Sequence, residues 1–179
     1  MKIYFVRHGE TEYNANGRIT GHTDIPLTKK GTEQVQKLSK EIPAIFSEMY
    51  SSDLIRCKQT ADILNKKLNL PIIYDVRLRE RDTGSLSGRE WGEVDPTGVL
   101  KEKNSHLQYD YRPYGGESVE DVKKRVLACI DDIRRQRKGD EILVVTSTGV
   151  IRLLHHVLNN EIHEVVHNSS MHEFEFADK

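Results

Sequence analysis

Four short clusters in this chain carry residues able to handle a phosphate ester: Arg7-His8-Gly9, Asp53 to Arg56, Arg77 to Glu80, and Thr146 to Gly149. Arginine forks and helix amino termini suit a dianionic phosphate. An imidazole placed among them can attack phosphorus and later leave it. A nearby carboxylic acid can protonate the departing alkoxide. Arg7, His8, Arg56 and Glu80 together would supply all three functions. Taken singly, Arg56 reads as a solvated helix arginine and Glu80 as a loop carboxylate. His8 stands higher because it follows a short buried strand and precedes Gly9.

The elements around these clusters are legible. Lys2 to Val6 is β-branched and aromatic, which predicts a buried strand. Thr28 can cap a helix whose Val35, Leu38 and Ile42 share one face, ended by Pro43. A weak strand at Glu48 to Ser51 leads to Asp53, expected to cap a helix carrying Cys57, Ala61, Leu64 and Leu68. Pro71 to Tyr74 is a third short strand. Ser118 and Asp121 resemble a capping box, opening a helix with Val119, Val122, Val126, Ile130 and Ile133 as its apolar stripe. Glu141 to Thr146 is the clearest strand, Gly149 to Leu158 the next helix, and Glu173 to Phe176 an alternating edge strand. From about 85 to 114 periodicity fails, so this segment is expected to be an irregular cover. Alternating strands and helices predict an α/β fold, a three-layer α/β/α sandwich with a largely parallel central sheet. In such sheets sites form beyond the carboxyl ends of the strands, which is where all four clusters fall.

Length and charge narrow the class. A chain of 179 residues predicts one domain spanning 1–179. The 27 basic and 28 acidic residues leave a net charge of −1, which argues against a nucleic-acid partner. The longest aliphatic run, Ile142 to Val145, is far short of the ~20 residues of a membrane span. Ile3 to Val6 before Arg7 is too short for a signal-peptide core, so a cytoplasmic protein is expected. Cys57 and Cys129 form neither a zinc ribbon nor a disulfide scaffold.

The order of motifs resembles the histidine phosphatase superfamily, the phosphoglycerate mutase-like proteins. The likeness begins with Arg7-His8-Gly9-Glu10-Thr11, Asn14, Gly17-Arg18, Gly21, Asp24 and Pro26-Leu27-Thr28. It continues through Ser51-Ser52-Asp53-Leu54, Arg56, Gln59-Thr60-Ala61, Leu78-Arg79-Glu80-Arg81, Gly84 and Gly88. Gly115-Gly116-Glu117-Ser118 and Val150-Ile151-Arg152 complete it. The resemblance implies a pocket for a small phosphomonoester or phosphate built from Arg7, His8, Asn14 and Arg56. It further implies that His8 becomes phosphohistidine, and that Glu80 donates to the leaving oxygen and then helps activate water. No metal or other cofactor is implied, because the arginines supply the positive charge.

One position departs from that pattern. The family carries a second histidine after the last long strand, in a turn that here reads Thr146-Ser147-Thr148-Gly149. Ser147 can still donate to the phosphoryl oxygens but is shorter and uncharged. By analogy with loss of one oxyanion donor, turnover is expected to slow by about 10²–10³. The alternatives are a pseudophosphatase that binds a phosphorylated ligand, and rescue by His22 or His155. Phosphoglycerate mutase-type transfer is a further alternative, but no paired arginines are evident later in the cover to grip a second phosphate. Within the cover, Arg81, Tyr111 and Arg112, with Trp91, Tyr109 and Tyr114, are the residues expected to sort substrates. A competing zinc-hydrolase motif, His163-Glu164-Val165-Val166-His167, has room for only about two helical turns and carries Glu173 where a third histidine would fall, so ordinary surface and packing histidines are expected there.

Overall fold

The computed structural model describes residues 1–137, 139–163 and 165–177. The elements run β1 (Lys2–Arg7), α1 (Glu12–Ala15), α2 (Lys29–Glu41), β2 (Glu48–Ser51), α3 (Ile55–Leu68) and β3 (Ile72–Tyr74). They continue with α4 (Trp91–Val94), α5 (Val99–Ser105), α6 (Val119–Gln136), β4 (Glu141–Thr146), α7 (Thr148–Asn159) and β5 (Met171–Glu175). The strands form one five-stranded sheet in the order β3-β2-β4-β1-β5. All neighbours are parallel except β5, which runs antiparallel along the β1 edge.

The alternation along the strands divides the core into two layers. Ile3 and Phe5 of β1, with Ile142 and Val144 of β4, pack against α6 and α7 through Val126, Ile130, Val150 and Leu154. Tyr4, Val6, Leu143 and Val145 face the other way, onto Val35 of α2 and Cys57, Ala61 and Leu64 of α3. Helices therefore cover both sheet faces, as the alternating pattern predicts. No helix among the described residues is long and apolar enough to cross a membrane.

Local chemistry explains most boundaries. Thr28 accepts from the Gly31 amide to start α2, and Ser118 and Asp121 form the capping box of α6. Two expectations fail. Asp53 does not cap α3; Leu54 occupies that position, and Asp53 instead forms a two-pronged ion pair with Arg79. The charge-assisted pair wins over the cap because a guanidinium fork satisfies both carboxylate oxygens at once. The 85–114 segment also contains α4, α5 and a turn at Arg112–Tyr114, held by a small cluster of Ile19, Leu86, Tyr109 and Tyr111. Most of its apolar residues, Leu86, Trp91, Val94, Leu100, Tyr109 and Tyr111, pack in that satellite cluster and not in the main core, so no long periodicity shows in sequence.

Candidate active site

The register of the sheet brings the first and last clusters together. Arg7 stands opposite Thr146 at the ends of β1 and β4, and the His8 amide donates to the Thr146 carbonyl at 3.0 Å. His8 is 3 % exposed, and its Nδ1 lies 2.7 Å from the Gly9 carbonyl. A carbonyl only accepts, so Nδ1 carries the proton and Nε2 presents its lone pair. Burial first, then the Arg56 and Arg7 charges, push the His8 pKa well below its usual value. The imidazole is thus neutral and able to attack. Gly9 permits this placement, because a Cβ there would stand 2.5 Å from the Gly31 carbonyl of α2.

The two arginines are anchored yet incompletely satisfied. Arg56, fully buried in the first turn of α3, donates through Nη1 to the Thr23 carbonyl and through Nη2 to the Gly21 carbonyl, each at 2.9 Å. Arg7 donates through Nη1 to the Val166 carbonyl. The Nε atoms of both are buried without a partner among the described residues. Burial pulls the Arg7 pKa down to about 10, helped by Arg152 and Arg56 and opposed by Glu80. An anion bound here would relieve the repulsion among these cations. Asn14 lines the cavity above, its Oδ1 accepting from the Thr11 amide at 3.1 Å and from Asn168 at 3.4 Å.

Glu80 is clamped across the elements. Its Oε1 accepts from the Arg81 amide at 2.9 Å and its Oε2 from the Gly149 amide at 3.1 Å. Burial raises its pKa, but the Arg81 charge, the two amides and the Arg56 charge outweigh this and leave it lowered. Arg125 of α6 holds the segment below. Its guanidinium donates to the carbonyls of Arg77 at 2.6 Å, Arg79 at 2.8 Å and Glu80 at 3.0 Å, and pairs with Glu117 at 2.7 Å.

Ser147 is fully buried at the start of α7, and its Oγ neither caps the helix nor finds another partner among the described residues. It lies beside the Cys57 thiol, which burial pushes up to about 11 and so keeps protonated. The two histidines considered as substitutes are engaged elsewhere. His22 Nε2 bonds the Glu80 carbonyl at 2.7 Å with Asp82 facing its Nδ1, and His155 packs against His163 and His172.

A cavity of about 210 Å³ opens over the site, lined by Glu80, Asn14, Thr148 and Trp91, with the cations Arg18, Arg81, Lys101 and Arg152 around it. Arg81 is 7 % exposed, sits 5.0 Å over the Tyr109 ring, and leaves Nε and Nη1 unpartnered among the described residues. Tyr111 stacks on Tyr109 and is fully buried, so it supports Arg81 from beneath. Arg112 does not reach the cavity; it pairs with Asp110 at the surface. Lys101 and Asn104, which sequence reasoning missed, enter from one face of α5. Asn104 is 2 % exposed with an unpartnered Oδ1. The spacing of Lys101, Asn104 and Ser105 is the signal that a helix here would have made readable. Of the competing zinc motif, Glu164 lies outside the described residues, and His163 is not in a helix.

Comparison with known proteins places the family and the fold. The family model of the histidine phosphatase superfamily (branch 1) matches residues 3–179. Phosphoglycerate mutase-like protein 4 of Arabidopsis thaliana is 34 % identical, over 99 % of this chain and 80 % of its own. The metal-independent phosphoserine phosphatase of the same plant is 36 % identical, over 86 % of this chain and 67 % of its own. The crystal structure of a phosphoglycerate mutase from Thermus thermophilus superposes with a TM-score of 0.81 at 31 % identity, covering 98 % of this chain and 94 % of its own. With the ordered motifs, the sheet topology and these likenesses in agreement, the chain belongs to the histidine phosphatase superfamily.

Proposed function

We propose that this protein hydrolyses a small phosphomonoester through a phosphohistidine at His8. The observation that carries the reading is the state of His8 itself: neutral, buried, with Nδ1–H tied to Gly9 and the Nε2 lone pair presented beside two guanidinium groups. The ester phosphate would settle against the unpartnered Nε atoms of Arg7 and Arg56. His8 Nε2 attacks phosphorus in line, the P–O ester bond breaks, and the alkoxide leaves with a proton. Because Glu80 is held ionised, that proton enters with the substrate and passes to the leaving oxygen by way of the carboxylate. Glu80, again ionised, takes a proton from the water that attacks phosphorus as the P–N bond breaks, and gives it to the departing phosphate, so that Glu80 and neutral His8 are both restored.

The buried, unpartnered Ser147 hydroxyl supplies one hydrogen bond where the family's pattern has an imidazole. The cations around the cavity favour a substrate with a second anionic group. That same observation supports a second reading, transfer between two positions of a phosphorylated acid, since Arg81 and Lys101 would grip the far end. Phosphate release from an aryl phosphate by the native protein, His8→Ala and Ser147→His tests the first reading. Release that needs His8 and rises about 10²–10³ with Ser147→His is the expected result. A native protein without turnover that Ser147→His revives would point to the ligand-binding pseudophosphatase. Phosphoryl transfer with little free phosphate would favour the mutase.

A further inference from the structure

The far end of α7 carries a cluster of imidazoles that the proposed reaction does not use. His155 lies about 10 Å along the helix from Thr148, at about 1.5 Å of rise per residue. Its neighbours are His163, stacked on it at 3.6 Å between ring centres, and His172 of β5. Glu161 stands at the solvent side of the cluster.

The protons of this cluster can be assigned by following its hydrogen bonds. Ser170 Oγ lies 2.7 Å from the His167 carbonyl and 2.8 Å from His172 Nε2. A carbonyl cannot donate, so the single serine hydrogen occupies the His167 contact. Ser170 must then accept from His172 Nε2–H, which leaves His172 Nδ1 as a lone pair. That Nδ1 lies 2.9 Å from His155 Nε2, so His155 donates through Nε2. His155 Nδ1 is left bare. It is buried, it has no hydrogen-bond partner among the described residues, and it belongs to a residue only 7 % exposed. It faces Glu161 Oε2 at 3.6 Å, and the same oxygen lies 3.2 Å from His163 Nε2. A lone pair and a carboxylate oxygen converge across a gap that neither can bridge. A cation between them resolves the conflict.

We propose that His155 Nδ1, Glu161 and His163 Nε2 bind a divalent transition-metal ion of the zinc class, apart from the His8 pocket, with water completing the coordination. The ligand types are those zinc prefers. Bonds of about 2.0–2.1 Å in a tetrahedron put ligand atoms about 3.3–3.4 Å apart. The two distances to Glu161 Oε2 bracket this value, and all three ligand atoms lie within 4.8 Å of one another. The stacked His163 ring has to tilt to aim Nε2 at the ion, and with a side chain 34 % exposed it has room. Glu161, 57 % exposed, opens the path of entry. The relay from His155 through His172 and Ser170 to the His167 carbonyl is the outer-shell support that fixes a ligating histidine's tautomer. The site joins α7 to the loop after it and owes nothing to the His163–His167 spacing.

Calorimetric titration of the full chain with zinc chloride near neutral pH tests this, paired with the visible spectrum of the Co²⁺ form. One ion per chain, a tetrahedral Co²⁺ spectrum, and a rise in melting temperature with zinc concentration are expected. Glu161→Gln at an exposed position and His163→Ala at a half-buried one should each weaken binding by roughly tenfold or more, while His8→Ala leaves it unchanged. Circular dichroism verifies that each variant is folded. Absence of saturable binding would overturn the proposal and leave a proton as the bridging cation. So would binding that survives both ligand variants or is lost in His8→Ala.

Discussion

The Glu80 carboxylate and the Gly149 backbone meet so closely that no side chain fits between them. The Gly149 amide donates to Oε2 at 3.1 Å, and a Cβ at this position would stand 2.0 Å from Oε1. The start of α7 thereby sets where the carboxylate sits, which joins the β4 end of the sheet to the 77–80 segment.

Gly149→Ala should therefore separate stability from activity. The clash falls on two side-chain ends, the Glu80 carboxylate and Arg81 Nη1 at 2.8 Å, rather than on backbone, and alanine favours a helix over glycine by about 1 kcal/mol. Stability in urea should hold or rise slightly, while kcat for an aryl phosphate drops by roughly tenfold or more as Glu80 is displaced. Equal kcat in the variant would show that the clamped position of Glu80 does not matter.

The pH dependence follows from two lowered pKa values. His8 stays neutral until well below pH 6.5, so protonation of the nucleophile limits kcat/KM only on the far acid side. Glu80 is ionised in the free protein, so the transferred proton comes with the ester, whose second ionisation lies near about 6. Above that value kcat/KM should fall about tenfold per pH unit, giving roughly a 75-fold excess at about pH 5.5 over about pH 8. The fall is the same whether the proton sits on ester or carboxylate in the complex. A flat profile over this range would contradict the assignment.

Arg125 is a positioning residue on the same logic. It ties three carbonyls, those of Arg77, Arg79 and Glu80, to Glu117. Arg125→Ala should cost about 2–3 kcal/mol in chemical unfolding by leaving these acceptors without their charged donor. It should also lower kcat more than it raises KM, since Glu80 loses its support. Arg125→Lys should recover part of the stability, because one ammonium reaches fewer of the carbonyls. A kcat unchanged in Arg125→Ala would assign the residue to folding alone.

Much of this architecture is legible in the sequence alone. The strand ending in Arg7-His8, the Thr28 cap, the Ser118–Asp121 capping box and the clear β4 strand all rest on local rules, and local rules suffice there. The convergence of Arg7, His8, Arg56 and Glu80 is readable because parallel strands place their carboxyl ends on one edge. What escapes depends on contacts distant in sequence. Asp53 leaves its expected cap for Arg79, and Arg125 reaches back to the 77–80 segment from α6. Asn104 and Lys101 join the cavity only because α5 packs beside the Tyr109 and Leu86 cluster. The His155–His172–Ser170 relay spans a helix, a loop and an edge strand, and no spacing rule connects them.

The most direct test of the central claim is an acid-labile, base-stable phosphoryl group on His8. Rapid quenching during turnover of a labelled aryl phosphate, followed by peptide mapping, should find the label on the peptide containing His8, and His8→Ala should abolish it. Phosphate released at the native rate with no labelled enzyme, or with label on another residue, would contradict the account.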